Sequence, residues 1–157
     1  MNHNFQLSDI ILSVHIFDIH NMQATVESSA QQQDFIWHDR EIRFDSKVQL
    51  LNCRKGEKLI DSINSVEDTK GNNGERGSLI VTNLRIIWVS HANSKINLSI
   101  GLNTVLSVNI RKAKSKLRGH TQALCVLAKF NSRFEFVFTS LVKNSPRLFT
   151  TVQAVMR

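Results

Sequence analysis

Short runs of alternating or β-branched apolar residues dominate the chain from Ile36 onward. Seven of these runs have the length and composition of β-strands, at 59–66, 78–82, 85–90, 96–100, 105–112, 123–130 and 133–139. The dipeptides Asn83-Leu84 and Asn131-Ser132 separate neighbouring runs closely enough to indicate tight hairpin turns. The pattern therefore predicts an antiparallel sheet of about seven strands.

The hydrophobic period changes near the end of the chain. Ser145 and Pro146 resemble an N-cap followed by proline in the first turn of a helix. The apolar residues after them follow the spacing of one helical face: Leu148, Phe149, Val152, Val155 and Met156. We expect a closing helix from about residue 146. A mostly β chain with one carboxyl-terminal helix fits a pleckstrin-homology-like barrel of the GLUE or GRAM kind best.

Residues 1–34 differ in composition from the rest of the chain. They combine Asn, His and Gln with scattered apolar residues and contain no sustained period, and Met22 could serve as an alternative start. We predict a disordered or non-native extension over 1–34 and a single domain over 35–157, a length that suits one hydrophobic core.

The residues that would carry catalysis or bind a metal do not form a recognisable motif. Cys53 and Cys125 are too far apart in sequence for a zinc motif, and His38, His91 and His120 have no partner at ligand spacing. No Ser or Cys lies in a nucleophile motif. We expect a binding module and not an enzyme, with no catalytic residues, no metal and no cofactor.

Charge is distributed very unevenly along the chain. Residues 1–75 contain seven Lys or Arg and twelve Asp or Glu, whereas residues 76–157 contain thirteen Lys or Arg and one acid, Glu135. The second part is therefore strongly positive, and its natural partner is a polyanion such as an acidic membrane, a nucleic acid or an acidic protein surface. Charge alone does not distinguish these partners.

The most concentrated charge is a cationic row at every second position: Lys112, Lys114, Lys116 and Arg118. In an extended chain all four side chains would project to one side. Near an acidic membrane each cation contributes about 1 kcal/mol, so the row contributes roughly 4 kcal/mol, which is only millimolar-scale binding. The alternative interpretation is that lysines protect an edge strand from pairing with other chains.

A second candidate is the loop at 70–76, where pleckstrin-homology domains commonly bind phosphates. Lys70 and Arg76 flank a glycine-rich stretch, and Arg85 in the following turn could assist either site. Three acids in or beside the loop would oppose an anion: Glu67, Asp68 and Glu75. We therefore favour the cationic row. The structural alternatives are a flexible glycine hairpin for the loop and hairpin closure for Arg85.

Long stretches of the chain also resemble a known family. They are WHDREIRFD at 37–45, GEKLIDSINSVEDTKGNNGERG at 56–77, LIVTNLRIIW at 79–88, SKLRG at 115–119 and RFEFVFTSLVKNSPRLFTTVQAV at 133–155. These are similar to the first pleckstrin-homology-type domain of the Bardet-Biedl syndrome 5 family, subunits of the BBSome coat that moves membrane proteins into and out of cilia. The resemblance implies phosphoinositide binding, other BBSome subunits as partners, and a second similar domain beyond this chain.

The leading hypothesis is a phosphoinositide-binding adaptor module of a ciliary coat, located in the cytoplasm at the cilium and basal body as a peripheral membrane protein. The alternative is a protein-docking domain whose basic face binds acidic coat subunits without any lipid role. Nucleic-acid binding ranks last. Phe134, Phe136 and Phe138 alternate on one face as in an RNA-binding sheet, but only one helical pattern is visible, so we expect them in the core.

Overall fold

The computed structural model describes residues 38–157, so the expectation for 1–34 lies outside the described residues. Within the described part, the chain forms eight strands and one α-helix. The strands are β1 (Ile42–Phe44), β2 (Leu59–Asp68), β3 (Glu75–Thr82), β4 (Arg85–Ser90), β5 (Asn97–Gly101), β6 (Val105–Ser115), β7 (Gly119–Phe130) and β8 (Ser132–Ser140). The helix α1 spans Arg147–Val155. Two 3-10 turns, Val48–Leu51 and Leu102–Thr104, lie in the connections.

All eight strands belong to one antiparallel sheet in the order β1-β5-β4-β3-β2-β8-β7-β6. β1 and β6 are therefore the two edge strands. The longest pairing joins β6 to β7, with a register that runs from Val105 opposite Ala128 to Ser115 opposite Gly119. This β6–β7 hairpin extends over eleven and twelve residues and ends in a turn at residues 116–118.

Buried apolar residues from strands far apart in the sheet order contact one another in one cluster. Ile42 of β1, Trp88 of β4 and Phe138 of β8 pack in the same core as Leu148 and Val152 of α1. The sheet must therefore curve strongly so that its inner face surrounds one core, and α1 covers part of that core with its apolar stripe. This is the mostly β, helix-closed pleckstrin-homology-like fold that the sequence predicts.

The seven predicted strands are all present, and the two predicted tight turns lie where expected. β4 has the predicted bounds, and Asn131, between β7 and β8, adopts a left-handed backbone with φ of 60°. The prediction of core positions for the phenylalanines of β8 is also confirmed. Phe136 and Phe138 are buried, and Phe134 packs partly buried against the same cluster.

Three local expectations need correction. β1 is an eighth strand, which three residues are too few to reveal by periodicity. The alternation expected at 59–66 is interrupted, because β2 has irregular register at two places and Ser65 has φ of 59°. Ser145 does not cap the helix. Pro146 occupies the N-cap position, and its carbonyl accepts hydrogen bonds from the Phe149 and Thr150 N–H groups.

Helix α1 is attached to the sheet by polar contacts as well as by its apolar face. The Arg147 guanidinium and the Thr151 hydroxyl both donate to the Asp61 carboxylate of β2, the latter at 3.0 Å. The hydrogen bond from Arg147 holds the pKa of Asp61 below its usual value, against a smaller opposing effect of burial. No helix among the described residues is long and apolar enough to cross a membrane.

Candidate anion-binding surface

The β6–β7 hairpin, which we call the basic hairpin, presents lysines on an edge of the sheet. Lys112 and Lys114 are both exposed and lie two positions apart on β6, opposite Gln122 and His120 of β7. Because side chains alternate along a strand, these two ammonium groups project from the same face. β6 is also an edge strand, as the protective interpretation of its lysines requires.

A buried carboxylate holds the tip of the basic hairpin against β2. The Ser115 hydroxyl donates to the Glu67 carboxylate, and the Lys116 N–H donates to the same carboxylate at 2.9 Å. Ser115 Oγ in turn accepts hydrogen bonds from the backbone N–H groups of Leu117 at 3.2 Å and Arg118 at 2.9 Å. Glu67 is fully buried. The tip is therefore a fixed structure, since the Glu67 carboxylate and the Ser115 hydroxyl together accept hydrogen bonds from its three backbone N–H groups.

The four cations of the predicted row do not project to one side. The strand ends at Ser115 and the chain turns, so the alternation that relates Lys112 to Lys114 does not continue to the last two residues. Lys116 Nζ donates to the Asn73 side chain in the β2–β3 loop. Arg118 Nη1 donates to the Ser140 carbonyl at the end of β8, at 2.8 Å. The row is thus corrected to the exposed pair Lys112 and Lys114, with Lys116 directed to the β2–β3 loop and Arg118 to the end of β8.

Lys116 brings the two predicted candidate sites into contact. Gly74 has φ of 76°, and a Cβ atom at this position would lie 2.7 Å from Lys116 Cδ. Only glycine gives both this backbone conformation and this close approach. The tip of the basic hairpin therefore rests on the β2–β3 loop, and Arg76, exposed at the start of β3, lies two residues beyond the contact.

Two polar groups of the β2–β3 loop donate hydrogen bonds to the buried carboxylate of Asp68. The Asp68 carboxylate accepts hydrogen bonds from the Gly71 N–H at 3.0 Å and from Asn72 Nδ2 at 2.6 Å. Burial raises the pKa of Asp68 despite these hydrogen bonds. A buried carboxylate beside the glycine-rich stretch opposes a phosphate there, as the like-charge argument from the sequence expects.

Glu135 of β8 partly neutralises the cations on the neighbouring surface. Lys70 Nζ lies 2.6 Å from one Glu135 carboxylate oxygen, and Arg111 Nη2 lies 2.9 Å from the other. The hydrogen bond from Lys70 holds the pKa of Glu135 below its usual value. Lys70 is therefore already ion-paired. Glu135 is the single acid of residues 76–157, which marks it in the sequence as an ion-pair partner without indicating which cation it pairs with.

Arg85 belongs to a different part of the molecule and is removed from the candidate set. Its side chain is 1% exposed. Arg85 Nε donates to Glu57 at 2.8 Å, and its two terminal nitrogens donate at 2.9 Å to the carbonyls of Leu50 and Asn52. These contacts leave no surface for a headgroup. Arg85 follows the β3–β4 turn, as the hairpin alternative expects, and also fixes the connection between β1 and β2.

A shallow cleft of about 380 Å³ lies beside Arg118, between the end of β8 and the start of α1. It is lined mainly by small polar and apolar residues: Thr121, Gln122, Ser140, Val142, Asn144, Ser145, Pro146 and Phe149. Arg118 is its one lining cation. Among residues 38–157, no group of three or more His, Cys, Asp or Glu is placed to hold a metal ion. The exposed cations of this surface can attract anions.

The fold and this surface define a pleckstrin-homology-like domain with an exposed basic hairpin. The model of the Bardet-Biedl syndrome 5 protein N-terminal PH-like domain matches residues 57–157. The chain belongs to this family. Relatives named "BBSome complex member BBS5" are 58% identical in human and 59% identical in mouse over 125 residues, which is 79% of this chain and 37% of each relative. The worm relative bbs-5 is 43% identical over 130 residues.

Solved structures support the fold. The Vps36 N-terminal PH domain is 27% identical, with a TM-score of 0.50, covering 66% of this chain and 83% of that domain. The hSac2 domain from human phosphoinositide phosphatase Sac2 has a TM-score of 0.52 at 10% identity and shows the fold alone. The chain spans a little over a third of the length of its human and mouse relatives.

Proposed function

We propose that this chain is a non-enzymatic adaptor module that binds phosphoinositides or another acidic membrane surface through the basic hairpin. In this proposal it contributes to a BBSome-type coat that supports transport of membrane proteins to cilia. The observation that carries the lipid role is the exposed pair Lys112 and Lys114 on a hairpin whose tip is held rigidly by Glu67. Because the backbone at the hairpin tip is already ordered, binding of a headgroup would restrict mainly the lysine side chains.

The expected affinity of one module is low. Lys112 and Lys114 would each contribute about 1 kcal/mol near an acidic bilayer, so the pair supplies roughly 2 kcal/mol. This corresponds to binding weaker than millimolar. Such a contact becomes useful when several weak contacts act at once, since linked sites raise the effective concentration. The names of the relatives as BBSome complex members support a setting of this kind.

A second candidate function is docking onto an acidic segment of a coat subunit. The outer edge of β6 has unpaired backbone groups, because β6 is the last strand of the sheet. Ile110 of the same strand is exposed two positions before Lys112, and Leu106 is exposed near the start of the strand. An extended acidic peptide could therefore add to this edge and pair with Lys112 and Lys114. Nucleic-acid binding is not supported by any exposed stacking surface on β8, whose phenylalanines are largely buried.

The test is sedimentation of the chain with vesicles of phosphatidylcholine alone, with phosphatidylserine, or with a phosphatidylinositol phosphate. We expect binding only to the acidic vesicles, with a loss as salt is raised. Replacing Lys112 and Lys114 by Gln should reduce binding about 30-fold, which is two contributions of about 1 kcal/mol each. The matched control replaces exposed Lys55 and Lys95, which lie outside the basic hairpin, and removes the same charge.

Equal binding to neutral and acidic vesicles would refute the lipid role. Equal losses in the two double variants would show that net charge matters and that the basic hairpin does not. If the Lys112 and Lys114 variant instead kept vesicle binding but lost assembly with coat subunits, docking would be the better account.

A further inference from the structure

The outermost residue of the basic hairpin is apolar. Leu117 lies in the turn between Lys116 and Arg118, and 52% of its surface is exposed. A single exposed leucine is ordinary on a protein surface. This one is unusual in its setting, because the residues on both sides are cationic and the exposed Lys114 lies just behind it on β6.

A second exposed aliphatic residue lies on the adjacent connection. Val142, in the loop between β8 and α1, is also 52% exposed and is followed by the exposed Lys143. Arg118 links the two loops, since its guanidinium donates to the Ser140 carbonyl and it lines the same cleft as Val142. Two apolar side chains, each with a cation beside it, therefore lie on neighbouring loops.

The turn that carries Leu117 is already ordered. Ser115 Oγ accepts the Leu117 N–H at 3.2 Å, and the buried Glu67 carboxylate binds the Ser115 hydroxyl and the Lys116 N–H. Insertion of the leucine would therefore not require ordering of a flexible loop. An apolar group displayed on a fixed turn keeps most of the free energy that its burial supplies.

We propose that Leu117 and Val142 form an apolar wedge that enters the interfacial layer of an acidic bilayer while Lys114 and Lys143 contact the headgroups. The inference rests on the proposed membrane role and adds the mode of contact. A bilayer places anionic headgroups over hydrocarbon, and the wedge has the matching order of cations behind apolar side chains. This charge complementarity selects an acidic bilayer as the occupant.

The chain contains a closely matched control residue. Leu106 has the same exposed fraction as Leu117, 52%, and lies near the start of β6, the strand whose far end leads into the turn that carries Leu117. The nine residue steps from Leu106 to Ser115 correspond to roughly 30 Å along an extended strand. If the β6–β7 turn faces the membrane, Leu106 remains in water.

The first measurement introduces a single tryptophan in place of Leu117, Val142 or Leu106 of the 157-residue chain and follows its fluorescence. With vesicles of phosphatidylcholine, phosphatidylserine and a phosphatidylinositol phosphate, Leu117→Trp and Val142→Trp should shift to shorter wavelength and be quenched by brominated acyl chains. Leu106→Trp should show the same vesicle-induced change as the parent chain, which contains Trp37 and the buried Trp88.

The second measurement compares vesicle partitioning of Leu117→Ala and Leu106→Ala. Loss of a half-buried leucine side chain should weaken partitioning about five- to tenfold at the tip, and by less than twofold at the control position. The ratio of the partition coefficients of the parent chain and of Leu117→Ala should be the same at 0.1 M and 0.5 M salt, because an apolar contact is not screened by salt. Thermal unfolding of each variant verifies that it remains folded.

The outcomes separate the wedge from the broader membrane role. If the parent chain binds acidic vesicles but Leu117→Trp is neither shifted nor quenched and Leu117→Ala partitions as the parent does, the wedge is refuted and electrostatic binding stands. If the parent chain binds no acidic vesicle, both proposals fail. Equal effects at Leu117 and Leu106 would also overturn the wedge, since they would indicate unspecific adsorption.

Discussion

Two regions of this molecule use cations in opposite ways. At the corner formed by Arg85 and Glu57, a guanidinium is enclosed by a carboxylate and two backbone carbonyls. On the basic hairpin, Lys112 and Lys114 extend into solvent from an edge strand. The first cation has its hydrogen-bond partners within the chain and stabilises a connection. The second pair is available for a partner. Charge in a sequence therefore indicates binding only after buried cations are separated from exposed ones.

The largest expected effect is on the buried corner. Arg85→Met leaves the Glu57 carboxylate buried without its counter-ion, and removal of one partner of a buried pair typically costs about 3–5 kcal/mol. Urea unfolding should show a loss of this size. The control is Arg147→Met, which breaks the exposed ion pair to Asp61 and should cost less than about 1 kcal/mol. Similar losses in both variants would show that the buried pair contributes no more to stability than an exposed one.

A smaller effect is expected where the basic hairpin meets the sheet. Ser115→Ala removes the donor to Glu67 and the acceptor for two backbone N–H groups. The free energy of unfolding should fall by about 1–3 kcal/mol, the cost of leaving a buried polar group unsatisfied. Hydrogen exchange at residues 116–118 should accelerate more than exchange in β4. Unchanged exchange at the tip would show that Glu67 does not anchor it.

The smallest expected effect is the pH dependence that two buried carboxylates, Glu57 and Asp68, give to the free energy of unfolding. Burial alone would raise the pKa of Glu57, but the Arg85 side chain, the Arg54 N–H and Thr82 together hold the pKa below its ordinary value of 4.5. Its contribution to stability is therefore present above about pH 4.5 and is lost as pH falls through the lowered pKa of the folded chain.

The contribution of Asp68 to stability changes with pH in the opposite direction to that of Glu57. Burial raises the pKa of Asp68 above its ordinary value of 3.8, so the folded chain binds a proton more readily than the unfolded chain does. Stability should therefore gain from Asp68 as pH falls from neutral toward 3.8, before the loss at Glu57 dominates. Asp68→Asn should remove this gain and leave a steeper decline on acidification. Parallel stability curves for the two proteins in urea unfolding between pH 7 and pH 3 would contradict the assignment.

The strands were predictable from the sequence because alternation and β-branched runs are local properties. The extended row of cations was not correctly predicted, since the chain turns at Lys116 through contacts that are remote in sequence. Glu67 is 48 positions from Ser115, and no periodic pattern connects them. Gly119, with φ of 74°, is the local signal that the strand does not continue past the turn.

The burial of Arg85 was equally hidden from local patterns. Its carboxylate partner lies 28 positions earlier, in the connection that precedes β2, where neither an alternating nor a helical period exists. The pairing of Lys70 with Glu135 spans 65 positions. Sequence patterns thus predicted where the elements lie and where positive charge accumulates. They did not distinguish which cations are already paired, because that depends on the curvature of the sheet.

The central claim is that the basic hairpin, and no other cationic region, faces an acidic membrane. The most direct measurement is amide hydrogen exchange of the chain with and without vesicles that contain a phosphatidylinositol phosphate. We expect added protection at residues 112–119 and 141–143, and none around Glu57 and Arg85. Protection centred on the glycine-rich loop at 70–76, or no change at residues 112–119 while the chain is bound to vesicles, would contradict the account.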